Sequence, residues 1–192
     1  EIESFVKDCK VKAKYLIHDA VYYSHSYLPD STDLIPFGDV QLYSASKMYG
    51  MSGLRIGWAV CHNYKFYHLI REYVEMMTVG VSEISQQFFL ENIIKQEEDK
   101  PSIKRKFEKK SYFALKEARQ LFMGVNSSIL ELPEDFEQTA GMFIWAKLKD
   151  AEALKNAKIN AIEGTPFGLP GYVRLNLALP KPVLKDVISR LV

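Results

Sequence analysis

The hydrophobic positions in the first third of the chain form short runs that favour β-strands. Residues 15–17 are an apolar run that ends at His18 and Asp19, and the run is short enough for a buried strand. Residues 40–44 and 55–61 form two further runs of this kind, separated by a segment rich in glycine and serine. The pattern therefore predicts three strands, with Asp19 at the C-terminal end of the first.

Longer segments with a hydrophobic period near 3.6 follow, and they predict helices. Residues 64–78 carry aromatic and charged side chains that suit a helix, which is expected to stop at Gly80. Ser82 is placed to cap a second helix, and Pro101 opens a third that is expected to end at Gly124. The apolar positions of the second helix are Ile84, Phe88, Phe89, Ile93 and Ile94.

The pattern changes after Gly124, where short strands and short helices are interspersed. Strands followed by long helices, and then a compact mixture of both, indicate an α/β protein built from two units. We place the boundary between residues 100 and 112. The predicted strands of the second unit are residues 128–132, 141–148, 159–162 and 172–179, and its predicted helices are residues 150–157 and 182–192.

Composition and charge narrow the classes of function. Of the 192 residues, 47% are hydrophobic and 26% are charged, which is the balance of an ordinary globular protein. The formal net charge of +1 argues against a broad surface for nucleic acid. No apolar run approaches the roughly 20 residues that a membrane span needs. Cys9 and Cys61 are too isolated for a disulfide framework or a zinc site, so we expect a cytoplasmic protein without a metal.

The segment SASKMYGMSGLRIGW, residues 44–58, concentrates groups that bind phosphate. Ser44 and Ser46 offer hydroxyl donors, and Arg55 supplies a forked cation. Lys47 lies among them and has two interpretations. It adds charge to a nucleotide site, or it forms a Schiff base with an aldehyde whose own phosphate these residues hold. The P-loop form of the first interpretation needs the motif G-x-x-x-x-G-K-[ST], which the chain lacks.

A pyridoxal phosphate site makes a further demand, because a carboxylate must keep the ring nitrogen protonated. Asp19 can meet it, and Tyr22 lies three residues on, able to donate to the phenolic oxygen of the cofactor. With these residues, the chain resembles the fold-type I pyridoxal-phosphate enzymes, specifically the class I/II aminotransferases. The segments that carry the resemblance are HDAVY (18–22), SASKMYGMSGLRIGW (44–58), GMFIWAKL (141–148), EGTPFG (163–168) and YVRLNLA (172–178).

The resemblance implies a role for each matching residue. Lys47 would form the Schiff base with pyridoxal 5′-phosphate, and would then move the proton between the substrate Cα and C4′ of the cofactor. Asp19 would pair with the pyridinium nitrogen, and Tyr22 would hydrogen-bond the phenolic oxygen. Arg174 would bind the α-carboxylate of the substrate through a two-pronged contact. The residues implied for the cofactor phosphate are Ser44, Ser46 and Arg55.

The resemblance covers almost the whole chain but only the C-terminal half of such an enzyme. We therefore expect a fragment of a longer parent protein, which the resemblance implies to be a homodimer. The implied fold places the last strands of the large-domain sheet and the long connecting helices in residues 1–105. A small α+β domain is implied for residues 106–192. The helix N-terminus that cups the phosphate and the aromatic side chain stacked on the ring would lie in the missing half.

The implied activity is that of an aminotransferase, which moves the amino group of an L-amino acid to a 2-oxo acid. The stretches AKYLIHDAVYYSHSY and TVGVSEISQQ are similar to the alliinase and plant tryptophan-aminotransferase branch. This similarity keeps a pyridoxal-phosphate-dependent β-eliminating lyase as the second hypothesis. The third hypothesis is a non-catalytic fragment or pseudoenzyme that acts through binding.

Other side chains receive structural interpretations. We assign Trp58, Phe143 and Trp145 to the hydrophobic core, and His18 to packing or hydrogen bonding beside the site. Glycines in the EGTPFG segment (163–168) are expected to shape a loop near the substrate.

Overall fold

The chain forms two compact units. A computed structural model describes residues 2–26, 37–96, 101–138 and 140–192. The first unit spans Glu1–Lys110 and the second spans Ser111–Val192. Within the described residues, no helix has both the length and the apolar character needed to cross a membrane.

The first unit contains a three-stranded sheet in the order β1-β2-β3. Strand β1 (Ile17–Asp19) runs parallel to β2 (Val40–Ser44), and β3 (Gly57–Cys61) runs antiparallel to β2. The bounds of β2 are those predicted, whereas β3 begins two residues later than predicted. The reason is Arg55, whose left-handed backbone (φ 55°, ψ 37°) is incompatible with a strand.

One helix of the first unit, α4 (Tyr64–Thr78), has the bounds that the sequence predicted, residues 64–78. Its N-terminus is capped by Asn63, because Oδ1 of this residue accepts hydrogen bonds from the backbone N–H groups of Lys65 and Phe66. Ser82 occupies the N-cap position of α5 (Glu83–Phe89), but its side chain makes no capping hydrogen bond. The prediction that Ser82 caps this helix was therefore wrong. The helices are α1 (Ile2–Lys12), α2 (Tyr23–Ser26), α3 (Ala45–Met48), α4 (Tyr64–Thr78) and α5 (Glu83–Phe89), which continues as a π-helical turn over Leu90–Ile94.

The second unit is a four-stranded antiparallel sheet in the order β4-β5-β7-β6, with helices packed on one face. The helix that leads into it is α6 (Pro101–Phe122), and two shorter helices follow, α7 (Ala151–Asn156) and α8 (Lys181–Leu191). Asp150 caps α7 through its side chain, which accepts from the backbone N–H of Ala153. The strands are β4 (Leu130–Glu131), β5 (Phe143–Leu148), β6 (Ile162–Glu163) and β7 (Tyr172–Asn176).

The core of the second unit is formed by one face of this sheet and by α6 and α8. Ile144 and Ala146 point into it from β5, and Val173 and Leu175 point into it from β7. Successive side chains of a strand point to opposite faces. Phe143 and Trp145 therefore lie on the other face and are only partly buried, so their assignment to the core was wrong.

The expectation of a buried first strand was also wrong. Ile17 is 56% exposed, and the strand begins at Ile17 rather than at residue 15, although it ends at Asp19 as predicted. By contrast, Trp58 packs against a small buried cluster of Ala45, Tyr49 and Phe89 in the first unit. This cluster connects α3 with α5 and fixes the orientation of α3.

Candidate functional site

Three of the predicted site residues lie at one edge of the sheet in the first unit. Asp19 is the last residue of β1 and Ser44 is the last residue of β2, and these two strands are parallel. Their carboxyl ends therefore meet at the same edge, which is where open α/β sheets bind ligands. Arg55 reaches this edge from β3, because Gly57 is paired with Ser44.

Lys47 is oriented by the packing of the short helix that carries it. Ala45 is fully buried and Tyr49 is buried, and both contribute to the apolar cluster under α3. A helix turns by about 100° per residue, so Lys47 points away from this cluster, about 200° round from Ala45. Its Nζ atom lies 5.3 Å from the centroid of the Tyr22 ring. The fold thus brings Lys47 and Tyr22 together.

The serines that flank Lys47 frame the turn from β2 into α3. Oγ of Ser44 accepts a hydrogen bond from the backbone N–H of Ser46 over 3.2 Å and caps the helix. A hydroxyl that accepts in this way retains a proton to donate. Both serines are half-buried, and they can therefore serve as phosphate donors next to the backbone N–H groups of this turn.

Arg55 is an exposed cation in a strained backbone conformation. Its Nη1 donates to the carbonyl oxygen of Ser52 over 3.0 Å, which leaves most of the guanidinium donors available for another group. A left-handed conformation is unfavourable for a residue with a Cβ, and such residues cluster at ligand sites.

Asp19 and its neighbour His18 have different environments. Oδ1 of Asp19 accepts from the backbone N–H of Val21 over 3.2 Å, and this contact fixes the carboxylate at the strand end. His18 stacks on Phe37 with ring centroids 4.2 Å apart, and its Nδ1 accepts from the Phe37 N–H. Burial lowers the pKa of His18, and the negative charge of Asp19 opposes this effect. The packing and hydrogen-bonding role assigned to His18 is confirmed.

His25 is a buried titratable group beside the site that the sequence analysis did not identify. Its ring centroid lies 6.0 Å from that of Tyr22. Burial lowers the pKa of His25, a hydrogen bond with the Lys47 backbone opposes this effect, and the charge of Lys47 adds to it. Nδ1 of His25 has no hydrogen-bond partner among the described residues. The spacing of three residues from Tyr22 is the signal that could have identified this contact.

The lowered pKa of His25 predicts a pH dependence of stability. The folded-state pKa lies below the value of about 6.5 for a free histidine, so the unfolded chain binds more protons as the pH falls below 6.5. This contribution to stability is complete above about pH 6.5 and is lost as the pH falls towards the folded-state pKa. We expect the melting temperature of the apoprotein to fall between pH 7 and pH 5. His25→Gln is expected to reduce that fall by an amount on the order of a few degrees, measured by circular dichroism.

His62→Gln is the matched control, because it replaces an exposed histidine. It is expected to keep the full decline of the unmodified protein. Part of the decline is expected to persist in His25→Gln, since burial also lowers the pKa of His18. Identical declines in the unmodified protein and in His25→Gln would contradict the prediction.

Arg174 lies in the second unit, on the face of β7 opposite the core. It is paired across the sheet with Trp145 of β5 and with Ile162 of β6. The guanidinium contacts two aromatic rings, with Cζ 4.3 Å from the centroid of Phe143 and 4.9 Å from that of Phe167. Nε of Arg174 is buried and has no hydrogen-bond partner among the described residues. The unit thus presents a half-buried arginine on an aromatic surface.

The groups gathered at the sheet edge of the first unit fit pyridoxal phosphate chemically. They comprise hydroxyls and a guanidinium for a phosphate, a carboxylate for a protonated ring nitrogen, a phenol for a phenolate oxygen and an amine for an aldehyde. Lys47 forms no ion pair with a carboxylate in the part of the chain that the structure describes. The residues that could hold the cofactor are Asp19, Tyr22, Ser44, Ser46, Lys47 and Arg55.

Comparison with known sequences agrees with this chemistry. The family model described as Allinase (Alliinase_C) matches residues 2–192. Tryptophan aminotransferase-related protein 2 of Arabidopsis thaliana is 42% identical over 71 residues, a match that covers 37% of this chain and 16% of that protein. A protein of the same name from Oryza sativa subsp. japonica is 34% identical over 85 residues, covering 44% of this chain and 16% of that protein.

Comparison with solved structures identifies the fold. A tetra mutant of Thermus thermophilus aspartate aminotransferase in complex with tryptophan superposes with a TM-score of 0.78 at 20% identity, covering 98% of this chain and 50% of that one. The aromatic aminotransferase of Pyrococcus horikoshii superposes with a TM-score of 0.77 at 17% identity, covering 98% of this chain and 53% of that one. The chain therefore spans about half the length of the solved aminotransferases that it matches, and it has the fold of their C-terminal part.

Proposed function

Because this chain belongs to the Allinase family and has the C-terminal fold of fold-type I pyridoxal-phosphate enzymes, we propose that its parent protein is a pyridoxal-phosphate-dependent aminotransferase. The parent would move the amino group of an L-amino acid to a 2-oxo acid. The observation that carries the proposal is the position of Lys47, which lies over Tyr22 at the edge where β1 and β2 end in Asp19 and Ser44.

Each residue has a task in this proposal that its environment supports. Pyridoxal phosphate, when bound, supplies an aldehyde that joins to amines and a ring that accepts electron density. Asp19 holds a proton on the ring nitrogen, and the Val21 N–H keeps the carboxylate in place. Tyr22 donates to the phenolic oxygen. The amine of Lys47 would take the proton from the substrate Cα as a general base and would then give it up as a general acid. Phosphate binding is assigned to Ser44, Ser46 and Arg55.

The α-carboxylate of the substrate is assigned to Arg174. A planar guanidinium can bind a carboxylate through two parallel hydrogen bonds, which gives both charge and orientation. The support for this assignment is that the aromatic rings of Phe143 and Phe167 hold the guanidinium through cation–π contacts and that its Nε lacks a hydrogen-bond partner among the described residues.

A second candidate function is β-elimination, and the family match over residues 2–192 favours it. In this reaction an S-alkyl-L-cysteine and water give a thiol, pyruvate and ammonia. Removal of the Cα proton begins both reactions, so Lys47 and Asp19 would act in the same way in each. The residues of this chain therefore support either outcome, and only the products distinguish them.

Product analysis on the full-length parent protein tests the proposal. We expect a panel of L-amino acids to give a new amino acid only when a 2-oxo acid is added, in amounts equal to the 2-oxo acid consumed. Lys47→Ala serves as the blank. Ammonia and pyruvate released from an S-alkyl-L-cysteine without any 2-oxo acid would assign the lyase reaction instead. If no product forms from either type of substrate, the protein is non-catalytic and the aminotransferase proposal is wrong.

A further inference from the structure

The aromatic rings around Arg174 contact the guanidinium or one another on the face of the sheet opposite the core of the second unit. Trp145 contacts Phe167 edge to face, with ring centroids 5.2 Å apart and planes at 80°. Phe167 and Phe143 in turn lie 4.9 Å and 4.3 Å from the Arg174 guanidinium carbon. A guanidinium is attracted to the face of an aromatic ring, and more strongly where water is excluded.

The backbone segments that carry these two rings are fixed by contacts within the second unit. For Phe143, the buried Arg119 donates from Nη2 to the carbonyl oxygens of Gly141 and Phe143, at 3.1 Å and 3.2 Å. These bonds hold the start of β5, which carries the Phe143 ring. The position of that ring is therefore set by buried contacts rather than by its exposed surroundings.

For Phe167, the turn Thr165–Phe167 is held close to β7 by glycine. The Gly164 N–H donates to the Tyr172 carbonyl over 2.7 Å, and the Leu169 N–H donates back to the Gly164 carbonyl over 3.0 Å. A Cβ at position 164 would lie 2.2 Å from the carbonyl oxygen of Leu169, so only glycine fits there. This close approach places the ring of Phe167 over Arg174.

We propose that Phe143 and Phe167 act as positioning residues, which clamp the Arg174 guanidinium in one plane so that its terminal N–H groups are aligned for a carboxylate. Both rings lie within cation–π distance of the guanidinium carbon, so a rotation of Arg174 away from them would lose two attractive contacts. The clamp reduces the conformational freedom that Arg174 would lose when it binds the substrate. This inference rests on the proposed carboxylate-binding role of Arg174.

The test compares L-alanine with ethylamine, two amines that differ in the carboxylate and carry no large side chain. Half-saturating concentrations are measured from the cofactor absorbance of the full-length holoenzyme. The unmodified protein is expected to prefer L-alanine. Phe143→Leu and Phe167→Leu, which keep an apolar side chain but remove the π-face, are each expected to reduce this preference on the order of tenfold. Ethylamine is expected to bind equally well to all of them.

Two further variants separate positioning from a general effect on folding. Phe167→Tyr keeps the aromatic face and is expected to retain the preference for L-alanine. Phe113→Leu, which replaces an exposed phenylalanine of α6 whose ring contacts Tyr112, is the matched control and is expected to change nothing. In Phe143→Leu, the effect is expected in KM for the amino acid more than in kcat, as for a group that binds substrate and transition state alike.

The possible results separate the clamp from the function that it serves. If Arg174→Leu removes the preference for L-alanine while both leucine variants keep it within twofold, the clamp is overturned and the Arg174 assignment stands. If Arg174→Leu keeps the preference, or the unmodified protein has none, the Arg174 assignment and the clamp both fail. The product analysis decides the aminotransferase proposal independently of either result.

Discussion

Replacing Lys47 by alanine is expected to lower kcat of the full-length enzyme by a factor between about 10² and 10⁴, the range for loss of a positioned acid–base group. The physical reason is that no other described lysine lies on the exposed side of α3, where the Lys47 amine contacts Tyr22. Borohydride reduction of the loaded protein, followed by peptide mass spectrometry, is expected to place the cofactor mass on Lys47. In Lys47→Ala no peptide is expected to carry it.

Two variants control this experiment. Lys65→Ala removes an exposed lysine of α4 and is expected to retain both the activity and the labelled Lys47 peptide. Lys47→Arg preserves the positive charge over Tyr22 but cannot join to an aldehyde, so it is expected to behave like Lys47→Ala. Cofactor found on another lysine of the unmodified protein would refute the assignment of Lys47.

The groups at the sheet edge were predictable because most of them lie in one continuous segment. Ser44, Ser46, Lys47 and Arg55 fall within twelve residues, and the tight turn from β2 through α3 into β3 keeps them together. Asp19 could be assigned to the same site because it ends a predicted strand, and parallel neighbouring strands bring their carboxyl ends to one edge of the sheet. The roles of these residues with the cofactor stay predictions.

The aromatic clamp around Arg174 could not be predicted in the same way. Phe143 and Trp145 alternate with Ile144 and Ala146 along β5, and both sets are apolar. A period of two therefore identifies the strand but not the face that points into the core. The face of β5 that becomes buried is the one that the helices cover, and the position of the helices is a property of the tertiary fold.

Helix ends followed local chemistry more closely than strand ends did. The bounds of α4 were predicted correctly, since Asn63 offers a side-chain cap and residues 64–78 are uniformly helix-compatible. β7, in contrast, ends at Asn176 although the apolar pattern continues to Leu179. The Asn176 side chain accepts a hydrogen bond from the Ala178 N–H, and this local turn competes with the strand.

The second large effect is expected for Asp19→Asn, which removes the negative charge at the end of β1 but keeps the size of the side chain. A carboxylate within hydrogen-bond distance raises the pKa of a cationic partner by about 1–3 units. Loss of that charge is therefore expected to lower kcat by about 10- to 10³-fold at neutral pH, because the ring nitrogen is less often protonated. The measurement is kcat of the full-length enzyme, with the bound cofactor quantified so that a loss of occupancy is separated from a loss of rate.

A cofactor with a fixed charge makes this prediction specific. N-methyl-pyridoxal phosphate carries a permanent positive charge on the ring nitrogen, so it no longer needs a carboxylate to hold a proton there. It is expected to restore much of the activity of Asp19→Asn. Asp39→Asn is the matched control, because Oδ2 of Asp39 accepts from the Leu16 N–H at the opposite end of the sheet, and an amide oxygen can replace it. A variant Asp19→Asn whose kcat stays within twofold, or one that the methylated cofactor does not improve, would show that Asp19 does not supply the charge.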